Sequence, residues 1–174
     1  MSDPPEGLSL RRDRDLVGRE RRPFARRVLV GVLAVIVVLA LLNVFGQRPS
    51  TTSAGSSTAE LAVYSPERVR SGLLFESRIH VSAVRELRDA TVVLDSGWLE
   101  GMTLNTVEPA PIGEASRDGR IAFELGHIPA GKDYLLFLQF QVNPTNVGRR
   151  ATDVSLYDGD RQLLHVDRTI TVWP

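Results

Sequence analysis

The residues that could take part in chemistry are few and widely spaced. The three histidines, His80, His127 and His165, are 47 and 38 residues apart, and no pair has the spacing of a local metal site. His80 falls on the polar side of an alternating segment, and His127 falls in a turn. We therefore expect solvated surface histidines, which could become ligands only by convergence in space.

Acidic residues recur between Asp153 and Asp167. Asp158 and Asp160 flank Gly159, and calcium prefers oxygen ligands of this kind. The twelve-residue calcium loop is absent, however, and an Asp-Gly pair is also what a tight hairpin requires. Asp158 and Asp160 are therefore only weak calcium candidates beside the simpler interpretation of a turn, and no bound metal is predicted.

Motifs of enzymes are absent from the sequence. There is no Gly-x-Ser-x-Gly elbow, no phosphate-binding glycine-rich loop and no His-Glu-x-x-His motif. The chain also has no cysteine, which excludes disulfides, thiolate metal sites and a cysteine nucleophile. We predict no enzymatic activity and no cofactor.

The strongest pattern is apolar. Residues 28–45 carry no charge and one polar side chain, Asn43. A helix of that length covers roughly 27 Å, close to the ~30 Å hydrocarbon core of a bilayer. A buried core helix is the alternative, but helices of soluble proteins keep a polar face. The stretch predicts one transmembrane helix, with the lipid bilayer as its partner.

The charges beside this stretch predict its orientation. Residues 1–27 hold eight arginines and five acidic residues, and Arg21, Arg22, Arg26 and Arg27 lie closest to the span. Positive charge is retained in the cytoplasm, so we expect a cytoplasmic amino terminus in the cell membrane. Residues 21–26 also resemble a twin-arginine export signal, but no small-residue cleavage site closes the apolar run. An uncleaved signal anchor is therefore favoured over a removed signal peptide.

The segments on either side of the span predict two disordered regions. Residues 1–27 combine proline, glycine and dense charge, which favours a disordered cytoplasmic tail. Residues 46–59 are rich in serine, threonine and glycine, which favours a flexible linker. An extracytoplasmic domain then comprises residues 60–174, and because it is not basic we expect no nucleic-acid partner.

Residues 60–174 have the pattern of an all-β domain. Apolar and polar side chains alternate in segments such as 73–83 and 134–142, and turn signals recur every eight to twelve residues. Seven or eight short strands of this kind predict a single antiparallel immunoglobulin-like β-sandwich. Arg168 interrupts the inward pattern of the last strand, which predicts a bulge or a partly covered strand there.

Residues 125–131, Leu-Gly-His-Ile-Pro-Ala-Gly, lead into the alternating strand that ends at Val142 and the loop over 143–148. This stretch resembles the second half of the DUF11 and CARDB-type Ig-like modules of bacterial envelope proteins, and the resemblance covers about fifty residues of the chain. The resemblance implies an Ig-like fold and an envelope location. It implies no functional residues.

One surface feature favours binding. If Leu136, Leu138 and Phe140 point inward, Leu135 and Phe137 point outward, as does Val93 on the strand expected beside them. Val93, Leu135 and Phe137 would then form a partner interface. The alternative is that a loop with Trp98, or the terminal Trp173, covers them.

Together these patterns predict a single-pass membrane-anchored extracytoplasmic module that binds or organises another membrane or envelope protein. The alternative is a small envelope ligand-binding or calcium-binding protein, or a hydrolase, that uses the acidic residues around Asp153–Asp167.

Overall fold

A computed structural model describes residues 22–44 and 46–174. These residues form one apolar helix followed by thirteen strands and a short 3₁₀ helix, so the predicted β-sandwich preceded by one helix is confirmed. The described residues divide into two compact units, with the division after Val44.

The helix α1 runs from Arg22 to Leu41. It therefore starts earlier and ends earlier than the predicted 28–45, and the last six residues of the predicted tail are helical. Arginine and alanine are good helix formers, and proline is tolerated in a first turn, where its missing N–H has no acceptor to lose. Arg21 and the rest of the predicted tail lie outside the described residues.

The carboxyl end of α1 is closed by a left-handed cap. Asn43 has a φ of 54°, its N–H donates to Ala40 O at 2.9 Å, and the Val44 N–H donates to Leu39 O at 3.0 Å. These two hydrogen bonds form a Schellman motif, in which asparagine is one of the few residues that adopt the left-handed conformation readily. The only polar residue of the apolar run thus ends the helix. Pro23–Leu41 is the one segment among the described residues long and apolar enough to cross a membrane, and none of its 19 residues is buried.

The strands follow in chain order. They are β1 (Pro49–Gly55), β2 (Ala59–Pro66), β3 (Arg68–Arg70), β4 (Leu74–Ala83), β5 (Leu87–Leu94), β6 (Met102–Glu108), β7 (Gly113–Arg117), β8 (Arg120–Ile128), β9 (Asp133–Val142), β10 (Gly148–Ala151), β11 (Val154–Asp158), β12 (Arg161–Val166) and β13 (Thr169–Trp173).

These strands form three sheets. The first sheet has the order β1-β2-β4-β9-β6, the second β12-β11-β5-β8-β7, and a small sheet has the order β10-β13-β3. Neighbours pair antiparallel except β13 and β3, which are parallel. Asp118 and Gly119 form the hairpin between β7 and β8, and both residues have positive φ (53° and 75°), as a type I′ turn requires.

The inward faces of the strands share one apolar core. Phe140 on β9 lies near its centre, with its ring centroid 5.3 Å from that of Phe75 and 5.1 Å from that of Trp98. Ile79, Leu136 and their neighbours are fully buried beside them. Each such side chain contributes about 1.5–3 kcal/mol on burial, so the alternating pattern of β4 and β9 is what fixes their register.

The predicted flexible linker over 46–59 is wrong for most of its length. Pro49–Gly55 forms β1 and pairs with β2 at every residue. Its serine, threonine and glycine side chains show no apolar alternation, so its composition alone indicates a coil. Backbone pairing and a distant cation hold it instead, and only seven residues separate the end of α1 from the start of β1.

That cation is Arg168, which lies at the crossing from β12 to β13 and is only 7% exposed. Its guanidinium donates to Val63 O at 2.9 Å and Ser65 O at 2.7 Å on β2, and to Thr52 Oγ1 at 2.7 Å on β1. Two longer contacts, of 3.3 Å, reach Ser50. The bulge predicted at this arginine is therefore wrong, since the strand ends there and the chain changes sheets.

Burial lowers the pKa of the Arg168 guanidinium below its usual value, and the Glu67 carboxylate opposes this shift. The polar contacts continue inward: Ser65 and Ser77 are both buried, and the Ser77 hydroxyl donates to Ser65 Oγ at 2.7 Å. A buried cation is tolerated only when its donors are paired, and here strands β1 and β2 supply the acceptors.

Candidate functional site

The outward side of the first sheet carries a row of large side chains. The register sets Arg78 on β4 between Tyr64 on β2 and Phe137 on β9, and Phe137 opposite Glu108 on β6. Because side chains alternate between the faces of a strand, the buried residues on either side of Tyr64, Arg78 and Phe137 fix these three side chains outward. Three strands thus bring two aromatic rings and a cation together, and β6 adds a carboxylate.

Arg78 lies between the two rings. Its guanidinium carbon is 5.4 Å from the centroid of the Tyr64 ring and 5.4 Å from that of Phe137, within the range of cation–π contacts. Its Nε donates to Glu76 Oε1 at 2.6 Å, and this hydrogen bond raises the pKa of Arg78 above its usual value. The arginine is therefore held in place although it is exposed.

Leu135 is the neighbouring outward-facing residue of β9, before Phe137, and its register partner on β4 is His80. Leu135 is 39% exposed and Phe137 is 36% exposed, so both residues project outward as their positions on the strand predicted. We call Tyr64, Arg78, Leu135 and Phe137 the aromatic face. A shallow groove of about 330 Å³ adjoins it, lined among others by Glu76, Glu108 and Phe137.

Val93 does not belong to this face, and its assignment to the partner interface is wrong. It lies on β5 in the second sheet, whereas Leu135 and Phe137 lie on β9 in the first. Val93 is 1% exposed because Ala122 and Tyr157 cover it in a small apolar cluster of their own. The predicted neighbour of β9 was β5; the actual neighbours are β4 and β6.

The alternative interpretation was that Trp98 or Trp173 covers Leu135 and Phe137. Neither tryptophan does so. Trp98, in the 3₁₀ helix Ser96–Trp98, is fully buried in the core against Phe140. Trp173 ends β13 in the small sheet and is 47% exposed. Leu135 and Phe137 remain on the surface of the described residues.

Sequence patterns alone did not assign Tyr64 and Arg78 to this surface. Both positions carried a signal, since Arg78 alternates with buried Ser77 and Ile79 and Tyr64 alternates with buried Val63 and Ser65. What the sequence did not provide was the order of the strands, and therefore the fact that β2, β4 and β9 are adjacent.

Comparison with known proteins gives likenesses of fold. No protein-family model matches the chain, and no curated protein matches it in sequence. Similar solved structures include the CARDB domain of the PF1109 protein from Pyrococcus furiosus, with 11% identity, a TM-score of 0.43 and coverage of 72% of this chain and 89% of that one.

Two further structures are CaCohA2 from Clostridium acetobutylicum and the GAE domain of GGA2p from Saccharomyces cerevisiae. The first has 16% identity, a TM-score of 0.43 and coverage of 66% and 90%. The second has 12% identity, a TM-score of 0.36 and coverage of 72% and 98%. At 16% identity or less these likenesses are of fold alone, and the CARDB domain among them is of the module type that the stretch from Leu125 resembles.

The predicted calcium candidates have structural partners. Asp158 Oδ1 accepts the backbone N–H groups of Arg88 and Asp89 at 2.9 and 2.8 Å. Asp160 Oδ1 pairs with the Arg117 guanidinium at 2.7 Å. The two carboxylates thus bind different elements, β5 and β7, as expected for residues of the β11–β12 hairpin.

Two of the predicted histidines lie at the surface of the sandwich, and the described topology-setting arginines belong to α1. His80 is half-exposed with Nε2 3.6 Å from Asp133 Oδ2, and His127 near the end of β8 is 2.9 Å from Glu86 Oε1, so both are surface histidines. Arg26 and Arg27 are exposed on α1, and Arg22 is its first residue.

Proposed function

We propose that the protein is a single-pass membrane protein whose β-sandwich binds another membrane or envelope protein through the aromatic face. The observation that carries this proposal is the exposure of Leu135 and Phe137 beside Arg78, which is held between two rings. Aromatic residues and arginine are the types enriched in protein interfaces. The function is binding rather than catalysis.

The charges around the face indicate the chemistry of the partner. Glu76 and Glu108 line the same groove as Phe137, and Glu76 is half-exposed although it pairs with Arg78. A partner that inserts an apolar side chain against Phe137 and places a basic side chain near the two carboxylates would complement this groove.

The orientation forms part of the proposal. Arg21, Arg22, Arg26 and Arg27 keep the amino terminus in the cytoplasm, α1 spans the bilayer, and the sandwich is extracytoplasmic. Because the chain has no cysteine, single cysteines can report this directly. We expect a membrane-impermeant maleimide to label the exposed Ser116→Cys variant in intact cells and to leave Ser2→Cys unlabelled until the cells are lysed. The reverse pattern would overturn the orientation.

The binding surface is tested by co-purification from cross-linked membranes with full-length wild type and Phe137→Ser. We expect Phe137→Ser to lose its partner while its thermal unfolding stays close to that of wild type. Val84→Ser is the matched control, since Val84 is a 57% exposed apolar residue in the turn between β4 and β5. If Phe137→Ser retains the partner as well as Val84→Ser does, the aromatic face is not the binding surface.

A further inference from the structure

Three side chains that are separated in sequence converge beside the crossing from β12 to β13. They are Asp153, His165 and Asp167, and one ligand atom of each lies within 4.8 Å of the others. His165 Nε2 is 3.2 Å from Asp167 Oδ1 and 3.9 Å from Asp153 Oδ2. Ligand atoms around a tetrahedral zinc ion, with bonds of about 2.0–2.1 Å, are roughly 3.3 Å apart. The His165–Asp167 pair therefore already has the spacing of two zinc ligands, and the distances to Asp153, which are within 4.8 Å, must shorten for one ion to bind all three side chains.

Contacts from outside the cluster orient two of these side chains. His165 Nδ1 is 2.8 Å from the hydroxyl of Ser155, its register partner on β11. Asp153 Oδ1 accepts the backbone N–H of Arg168 at 2.8 Å. Each side chain has one polar atom held by a structural partner and the other directed at the cluster. Metal-binding histidines are fixed in the same way, with the second ring nitrogen donating to a neighbour.

The burial of the cluster leaves it accessible from one side. The Asp153 and His165 side chains are 25% and 38% exposed, whereas the Asp167 side chain is 90% exposed. The first two ligands are thus partly enclosed and fixed, and Asp167 can rotate to shorten its distance to the others. Water can reach the remaining coordination position.

We propose that Asp153, His165 and Asp167 bind a divalent transition-metal ion of the zinc class, with water as a further ligand. The imidazole nitrogen selects zinc over calcium and magnesium, which prefer oxygen ligands throughout. Two carboxylates balance the double positive charge. This site differs from the weak calcium candidates of the β11–β12 hairpin, because Asp158 and Asp160 are held by other partners.

A bound ion would join the loop before β11, the strand β12 and the crossing that leads to β13. The same crossing holds Arg168, whose backbone N–H contacts Asp153. Since an ion that binds only the folded state stabilises it by RT ln(1 + [ion]/Kd), the melting temperature should rise with the zinc concentration. The role inferred for the ion is structural, and it does not depend on the aromatic face.

The test uses the full-length protein without an affinity tag, in detergent micelles and freed of metal with EDTA. Titration calorimetry with Zn²⁺ should give one ion per chain, and Asp167→Asn should weaken binding at least tenfold. The matched control is Asp133→Asn, which makes the same change in the His80–Asp133 pair, where the structure places a single carboxylate beside the histidine. That variant should bind Zn²⁺ as wild type does.

Thermal unfolding provides a second measurement. Zn²⁺ should raise the melting temperature of wild type and of Asp133→Asn, but not that of Asp167→Asn, and all three should melt alike in EDTA because Asp167 is exposed. The proposal is overturned if wild type shows no binding, if Asp167→Asn binds as tightly as wild type, or if both variants lose binding equally. Tighter binding of Ca²⁺ than of Zn²⁺ would overturn the assignment to the zinc class.

Discussion

Arg168 and Arg78 place the same guanidinium group in two opposite settings. Arg168 is buried at the crossing between sheets and contacts β1 and β2 through oxygen acceptors. Arg78 lies on the outward side of the first sheet, between two aromatic rings and beside one carboxylate. Arg168 donates mainly to backbone carbonyl oxygens, whereas the partners of Arg78 are side chains that solvent also reaches.

The difference in burial predicts a difference in role. A buried guanidinium and its acceptors lose water together, so removing the cation leaves unpaired carbonyl groups behind. An exposed ion pair is screened by water and contributes little to folding. The region around Arg168 therefore stabilises the fold, whereas the aromatic face is free to serve a partner.

The largest effect is expected for Arg168→Leu. The substitution removes the donors to Val63 O and Ser65 O and should lower the free energy of unfolding by about 3 kcal/mol. Denaturant unfolding of the full-length protein measures it. Arg149→Leu, an exposed arginine on β10, is the control and should change stability by less than about 0.5 kcal/mol. Equal effects of the two variants would contradict the role given to Arg168.

A smaller loss is expected for Ser65→Ala, because it leaves the buried Ser77 hydroxyl without its acceptor. The cost should be about 1–2 kcal/mol. In a double-mutant cycle with Ser77→Ala, the combined loss should be smaller than the sum of the two single losses. Additive losses would mean that the two hydroxyls do not depend on each other.

Thr52→Val tests whether β1 is docked on the sandwich. The change keeps the shape of the side chain but removes the oxygen that accepts from Arg168 Nη1, so stability should fall by about 1 kcal/mol. Hydrogen exchange should show protected amides in β1 of wild type and faster exchange there in Thr52→Val. If the amides of β1 exchange fast in wild type, the segment is a flexible linker, as its composition predicted.

The smallest effect on folding is expected for Arg78→Met. Arg78 is exposed and its contacts are with other exposed side chains, so the melting temperature should stay within error of wild type. Partner co-purification should nevertheless fall, because the substitution removes the cation between Tyr64 and Phe137. A large loss of stability would mean that Arg78 contributes to folding, contrary to the role proposed for it in partner binding.

Much of the fold follows from side-chain alternation. Strands β4 and β9 were predicted within one residue of their bounds because each buries one face against the core and exposes the other. Strands β1, β3, β7 and β10 were missed, since they are short or polar and are held by backbone pairing rather than by an apolar face. The position of β1 also depends on Arg168, more than a hundred residues away, which no local pattern contains.

The candidate face was predicted in part for a related reason. Alternation along β9 is local, so it correctly placed Leu135 and Phe137 outward. Whether β5 or β4 lies beside β9 is a question of topology, and the assumption of β5 led to Val93. The unbroken apolar run Val92–Val93–Leu94 indicates that Val93 is buried, since a strand that is covered on both faces loses its alternation.

The contact between Arg168 and β1 has a mechanical consequence. If α1 anchors the chain and a bound partner pulls on the sandwich, tension enters the domain at Pro49, the first residue of β1. Peeling of that strand would begin with Ser50 and Thr52, which are the residues that Arg168 holds. Arg168 thus holds β1 at the residues where a pulling force would first separate this strand from the sandwich.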